Sequence, residues 1–432
     1  MMKGKKNKAI GYVGILITIL ISCVEDFDTL NSTTNFLSIL VVDARITDRA
    51  EVQSIILSRT FEFDSVPIPE RNAQVSLVAE SGSIYPFSEE VSGIYSSISS
   101  LNLSPGESYQ LQIITQAGVQ YASSFEKLPE PIEIGKMQAV KRTNAKGVEG
   151  VAIVFDNKLE TSSPEFFRYG FEETYKIVAP DYVGLEWDEV DYDYLMNDED
   201  GWEVTVKPRE ERARVCYATN TRDFPLLAST EALDSPGLED FEIRFLSQDN
   251  YMISHRYSIL VKQYHHSADA NSFYSTLLNF SSFDNVLSNV QTGLIESNIK
   301  ALNSDASVLG YFELSSYSEK RMFVNYVDLF PDEALPPYII SCDLFFRPEL
   351  YPPGFHWTVI NGMVVLDGVS NSPLIEGILS GQFGYFDQNS TYGDIIDLET
   401  GERDRAPFIT KSLGCVDCRK FGSNVMPEFW EE

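Results

Sequence analysis

From Phe36 to about Ile134, turn signals cut the chain into short β-branched and aromatic runs, and this punctuation constrains the fold more than any other feature. Val41-Val42, Ile55-Ile56-Leu57, Val75-Ser76-Leu77-Val78, Tyr109 to Ile113 and Tyr121 read as strands. Between them stand Ser81-Gly82-Ser83, Ser92-Gly93, Ser104-Pro105-Gly106 and Ala117-Gly118, where glycine and proline supply the backbone angles of tight turns. Strands recurring about every 8–15 residues with such turns predict an immunoglobulin-like β-sandwich over 36–131. Alternation puts Tyr109, Leu111 and Ile113 on one face, so one side of the sheet is covered and the other is wet.

Leu128-Pro129-Glu130-Pro131 reads as a stiff connector, because each proline fixes φ and biases its predecessor away from helix. A larger β-rich (α+β) domain with few helices is expected over 132–432, with strands at Val151 to Phe155, Arg168 to Val178, Arg256 to Gln263 and Ser307 to Asn325. Nine carboxylates crowd the stretch Glu186 to Glu203, which reads as an exposed acidic insertion. One helix stands out. Ser267 suits an N-cap, and Ala270, Phe273, Tyr274, Leu277 and Leu278 recur at intervals of three and four. The C-terminal quarter, rich in Pro, Gly and Asp, reads as loop-heavy and carries the cysteine tail.

The N-terminus speaks to location. Lys3, Lys5, Lys6 and Lys8 precede Ala9 to Leu20, a 12-residue apolar run. A spanning helix needs about 18 residues or more, whereas a signal-peptide core has roughly 7–15. Leu20-Ile21-Ser22-Cys23 resembles a bacterial lipobox, so 1–22 is expected to be a lipoprotein signal peptide, Cys23 the lipidated residue and 23–35 a polar tether. Glu25 and Asp26 resemble the surface-export signal of Bacteroidota lipoproteins. An outer-membrane protein, lipid-anchored and facing the cell surface, is the expectation. The chain carries 33 Lys and Arg against 64 Asp and Glu, a net charge of −31. Phosphate would repel such a chain, which excludes electrostatic binding of nucleic acid. A 43% hydrophobic fraction with 22% charged residues excludes wholesale disorder.

Several stretches together resemble one family. They are Leu40-Val41-Val42-Asp43 with Ile46-Thr47-Asp48, Leu57-Ser58-Arg59-Thr60, Ser92-Gly93-Ile94-Tyr95, Glu173-Thr174-Tyr175-Lys176, Tyr257 to Tyr264, Val308 to Phe312 and Lys320-Arg321. The closing Cys415-Val416-Asp417-Cys418-Arg419, Gly422, Asn424 and Pro427 to Trp430 follow. In this order they resemble the Bacteroidota lipoproteins called "domain of unknown function 4249". Asp43-Ala44 stands where that family usually has Asp-Gly, and Tyr264-His265-His266-Ser267 replaces a more usual Tyr-Ser-Leu-Ser. The resemblance implies a setting beside TonB-dependent outer-membrane transporters, which is association rather than mechanism.

The chemistry-bearing residues are sparse. Cys216, Cys342, Cys415 and Cys418 are expected to form disulfides in an exported protein, with three pairings open. A redox pair or half a zinc site at Cys415 and Cys418 are the alternatives. His265 and His266 are neighbours, so in a strand they face opposite sides and cannot chelate one ion. No His-Glu-x-x-His, Gly-x-Ser-x-Gly or Walker loop occurs. No catalytic or metal residue is assigned and no cofactor is expected, with an irregular Ca²⁺ site in the acidic stretch as the one open exception. Trp187, Trp202 and Trp357 are candidate contacts for a glycan or peptide ligand. The functional expectation is a ligand-binding or accessory partner of a TonB-dependent nutrient transporter. A structural, adhesin-like scaffold is the alternative, and an extracellular hydrolase the remote one.

Overall fold

A computed structural model describes residues 38–60, 68–159, 163–191, 202–233, 237–281, 297–351, 356–360, 363–367, 371–396, 401 and 403–432, with backbone alone for 158, 191, 223–224, 280–281, 356–360 and 363–367. The expected signal peptide and tether, with Cys23, Glu25 and Asp26, lie outside the described residues.

Leu40, Val42, Ala44 and Ile46 alternate inward along the strand Leu40–Thr47, and all four are buried. This is the period of two expected for a strand with one covered face. The strand pairs antiparallel with Ser54–Arg59 and parallel with the start of Val308–Asn325, from Leu40↔Val308 to Thr47↔Ser315. The rest of that 18-residue strand pairs antiparallel with Arg256–His266, from His265↔Ser316 to Arg256↔Asn325. One strand is thus shared between the N-terminal and C-terminal halves. Gly310 makes the parallel contact feasible. Its φ is +102°, and a Cβ there would lie 1.9 Å from the Val42 carbonyl oxygen, a position only glycine fits.

Among the described residues a 14-stranded sheet results. Its path runs from Val215–Ser229 through Phe166–Val178, Arg256–His266, Val308–Asn325, Leu40–Thr47, Ser54–Arg59 and Ile94–Ser97. It continues through Ile84–Val91, Gln74–Ala79, Ser108–Ile114 and Gln120–Ser123 to Ile299–Ala301. The N-terminal half curls into a sandwich-like body around Leu57, Leu77, Tyr95, Tyr109, Leu111 and Phe312. A side chain closes the curl. The Asn298 amide donates to the Phe312 carbonyl at 2.9 Å and accepts from the Phe312 N–H at 2.9 Å, so both backbone groups of Phe312 are satisfied where no ladder reaches them.

In the C-terminal half a second sheet, Met137–Thr143, Glu149–Lys158 and Gly237–Ser247, packs on the long strands around Phe155, Phe167, Tyr169 and Tyr257. The connector between the halves is pinned from below. The Glu130 carbonyl faces His265 Nδ1 at 2.9 Å and accepts from Ser316, while the Ile132 carbonyl accepts from Gln263 and Ser318. The helix Ala268–Ser281 forms as its spacing predicts, with the Ser267 hydroxyl accepting from the Ala270 N–H. No helix among the described residues is long and apolar enough to cross a membrane.

The acidic stretch differs from its sequence reading as an exposed insertion. Its flanks form a hairpin, Leu185–Asp191 with Glu203–Pro208. Trp187 and Trp202 face inward there, joining Leu374, Ile375, Tyr385 and Phe408 in a third core. The apolar residues interleaved with the acids carry the strand pattern, and net acidity concealed it. Residues 192–201, which hold four of the nine carboxylates of the stretch considered for Ca²⁺, lie outside the described residues. The C-terminal quarter is also less loop-like than its composition suggests. It holds the hairpins His356–Ile360 with Met363–Asp367 and Phe383–Gln388 with Phe408–Ser412, and the helix Pro373–Leu379.

Two disulfides fasten this region, Cys216–Cys418 and Cys342–Cys415. Cys415 and Cys418 bond to different elements rather than to each other, which overturns the redox-pair and zinc alternatives for them. Asp181, Cys342 and Cys415 approach one another, but both sulfurs are consumed by a bridge and offer no thiolate.

Candidate functional site

Both large cores lie on the same face of the continuous sheet, so alternation sends a second set of side chains to the other face where the halves meet. Arg45 stands opposite Glu313, Arg168 opposite Tyr264, and Tyr264 opposite Tyr317. The helix Ala268–Ser281 covers part of this face with Tyr274. The result is a buried ionic cluster. Glu313 is 0% exposed and Arg168 8%, and Arg168 Nη2 donates to Glu313 Oε1 at 3.0 Å. The other Glu313 oxygen accepts from the Tyr274 hydroxyl. The Arg168 guanidinium lies 4.0 Å over the Tyr264 ring and 5.4 Å from that of Tyr274, a sandwich suited to a weakly hydrated, planar cation.

The charges in this cluster support one another. For Arg168, burial disfavours the cation, but the Glu313 carboxylate and the facing tyrosines more than offset it, and the pKa is raised. For Glu313, burial disfavours the anion, while the Arg168 cation and the hydrogen bonds from Arg168 and Tyr274 outweigh it and hold the carboxyl below its usual range. His266, 2% exposed, stacks on Tyr274 at 5.9 Å. Burial lowers its pKa to about 4 despite the nearby Glu313, so the ring is neutral at pH 7.

His265, on the opposite face, is committed to structure. Its Nε2 faces Glu165 Oε2 at 2.6 Å and its Nδ1 faces the Glu130 carbonyl at 2.9 Å. With both nitrogens engaged, no ring position is left to act as a base toward a hydroxyl. This argues against a hydrolase built on His265.

Above the ionic cluster a cleft of about 370 Å³ opens, within the size range of small-ligand pockets. Arg45, Arg49, Arg168, Tyr264 and Tyr317 line it together with Val52, Ile56 and Ile94. The loop that carries Arg49 is held by Gln53. Gln53 Oε1 accepts from the Thr47 N–H at 2.7 Å, and Nε2 donates to the Thr47 and Arg49 carbonyls at 2.8 and 3.1 Å. Asp48 accepts from the Tyr317 N–H at 2.8 Å, which joins the loop to the shared strand. Arg45 makes a bidentate pair with Asp43, both contacts at 2.9 Å. Arg49 pairs with Glu51 at 3.3 Å and lies 4.6 Å over the Tyr317 ring. The polar and aromatic part of the lining is held in place before any ligand arrives.

The sequence profile of the family described as "Domain of unknown function (DUF4249)" matches residues 25–321. The chain belongs to that family. The match takes in every residue of this cleft and ends before the cysteine tail of the DUF4249 protein. No curated protein matches it. A solved DUF4785 family protein from Legionella pneumophila is similar over 52% of each chain, at 13% identity and a TM-score of 0.19. The DUF4249 protein thus spans about half the length of that chain, and the likeness is too slight to carry an argument.

The residues singled out from sequence fall elsewhere. Trp202 is 3% exposed and stacks on Tyr351 at 5.5 Å. Trp187 donates its indole N–H to the Phe383 carbonyl at 3.1 Å and meets Tyr385 and Phe408 edge-on. Both are placed as core aromatics rather than as open platforms. The backbone of Trp357 lies in the strand His356–Ile360, and its side chain is outside the described residues. Cys216, Cys342, Cys415 and Cys418 are structural bridges. Arg45, Arg168, Tyr264, Tyr317 and Glu313 escaped sequence reasoning. The signal for them is a set of polar residues at alternate positions in otherwise apolar strands, but only strand register brings them together.

Proposed function

We propose that this DUF4249 protein is a surface-exposed outer-membrane lipoprotein that serves a TonB-dependent nutrient transporter as a non-catalytic, ligand-binding partner. The observation that supports binding is the cleft at the junction of the halves, where guanidinium and tyrosine groups converge on a scaffold fixed by buried hydrogen bonds. Lipid anchoring rests on the basic start, short apolar run and Leu20-Ile21-Ser22-Cys23 sequence. The transporter partnership rests on the setting the family resemblance implies. Gentle solubilisation of outer membranes, pull-down of the lipidated protein and mass spectrometry test the reading. Stoichiometric recovery of a TonB-dependent barrel is the expected result. Recovery of the lipoprotein alone, in detergent that preserves other outer-membrane complexes, overturns the partnership and moves the scaffold reading ahead.

A further inference from the structure

We infer that the junction cleft takes an organic carboxylate with an apolar body. The inference rests on the ligand-binding reading above and names the ligand's chemistry. Three guanidinium groups reach the cleft against two lining carboxylates, Asp43 and Glu51, in a chain whose net charge is −31. The surplus is in hydrogen-bond donors, since each guanidinium carries five N–H groups and no acceptor. Asp43 engages Arg45 through Nε and Nη2, and Nη1 has no protein partner among the described residues. Arg168 is more than nine-tenths buried at the cleft floor. One of its nitrogens holds Glu313, and its Nε–H, shut off from solvent, has no hydrogen-bond partner among the described residues. A planar carboxylate suits the accessible Arg45 and Arg49 guanidinium groups, because it accepts from two N–H groups at once.

The aliphatic part of the lining sets the rest of the ligand. Ile56 and Val52 are 45% and 53% exposed, and Ile94 is paired across strands with Ile56. Exposed aliphatic side chains beside arginines in one cleft suit a hydrocarbon group attached to the acid. Two sources carry that chemistry: the free C-terminus of a peptide ending in an aliphatic residue, and a free branched-chain acid.

Isothermal titration calorimetry on the full lipidated chain in lipid nanodiscs separates the outcomes. The probes are acetyl-Ala-Leu-Leu as the free acid, the same peptide as its C-terminal amide, and 4-methylpentanoate. The acid peptide is expected to bind at least tenfold more tightly than the amide. The double variant Arg45→Gln/Arg49→Gln alters two half-exposed side chains, and circular dichroism checks its fold. It is expected to lose at least tenfold in affinity for the acid with little change for the amide. Binding of 4-methylpentanoate as tight as the peptide's assigns the free acid as the source; weaker binding assigns the peptide terminus. Equal binding of acid and amide, an unchanged double variant, or no binding of either acid overturns the carboxylate assignment. The transporter partnership then still stands or falls on recovery of the barrel.

Discussion

Replacing Glu313 with glutamine leaves the Arg168 cation buried without its counter-charge, at almost unchanged side-chain volume. The Glu313 side chain is fully buried and that of Arg168 is 10% exposed, so solvent cannot screen the loss. Breaking a buried ion pair by removing one partner costs about 3–5 kcal/mol, or roughly two to four powers of ten in the folded-to-unfolded ratio. Much of that cost is the stranded charge rather than the contact itself. A charge-free variant, Glu313→Leu with Arg168→Met and Tyr274→Phe, therefore regains most of the stability. Tyr274 must change too, because its hydroxyl donates to Glu313 and would lose its acceptor. Urea unfolding followed by far-UV circular dichroism gives both numbers. A Glu313→Gln variant within about 1 kcal/mol of the parent would falsify the claim that Glu313 balances Arg168. A charge-free variant as unstable as Glu313→Gln would show that shape, not charge, dominates at this junction.

Acid should weaken the fold in two steps. The His266 pKa is depressed to about 4 in the folded protein, so the unfolded chain takes up that proton first as pH falls below about 6.5, and stability drops by up to roughly 3 kcal/mol by pH 4. Glu313, held below its usual range, adds a further loss below about pH 4.5 as it protonates. A His266→Phe variant whose urea midpoint still falls between pH 6.5 and 4 as the parent's does refutes the first step. Gly310→Ala forces a side chain against the Val42 carbonyl at a positive φ, which should cost more than about 2 kcal/mol; limited proteolysis should then cut the connector near Pro129 and Pro131, and an unchanged digest contradicts this. Non-reducing peptide mapping should recover Cys216–Cys418 and Cys342–Cys415, with each Cys→Ser pair lowering stability by about 2–4 kcal/mol. A Cys415–Cys418 peptide would overturn that pairing.

Much of the local structure was legible before any coordinates. The turn dipeptides and alternating runs of 36–134 became strands, and the spacing after Ser267 became a capped helix. The acidic stretch misled because composition averaged over two inward tryptophans and the valines beside them. The tryptophans drew attention as rare, ring-bearing residues in acidic surroundings, yet such residues supply apolar area as readily as they supply ligand platforms. The cleft residues went unnoticed because Arg45, Arg168 and Tyr317 are each unremarkable in their own strands.

Sequence alone determined the β-rich class, the positions of most strands, the family and the set of cysteines available to pair, because these depend on patterns within a few residues or on short motifs. The tertiary structure decided which cysteines meet, that one strand serves both halves, and that Arg45, Arg168, Glu313, Tyr264 and Tyr317 share one face. Those outcomes depend on contacts between residues far apart in the chain, from 53 positions for Tyr264 and Tyr317 to 268 for Arg45 and Glu313. A slip of one residue would send every side chain of a strand to the other face, and the long-range packing of the two cores and the fit at Gly310 select among the registers.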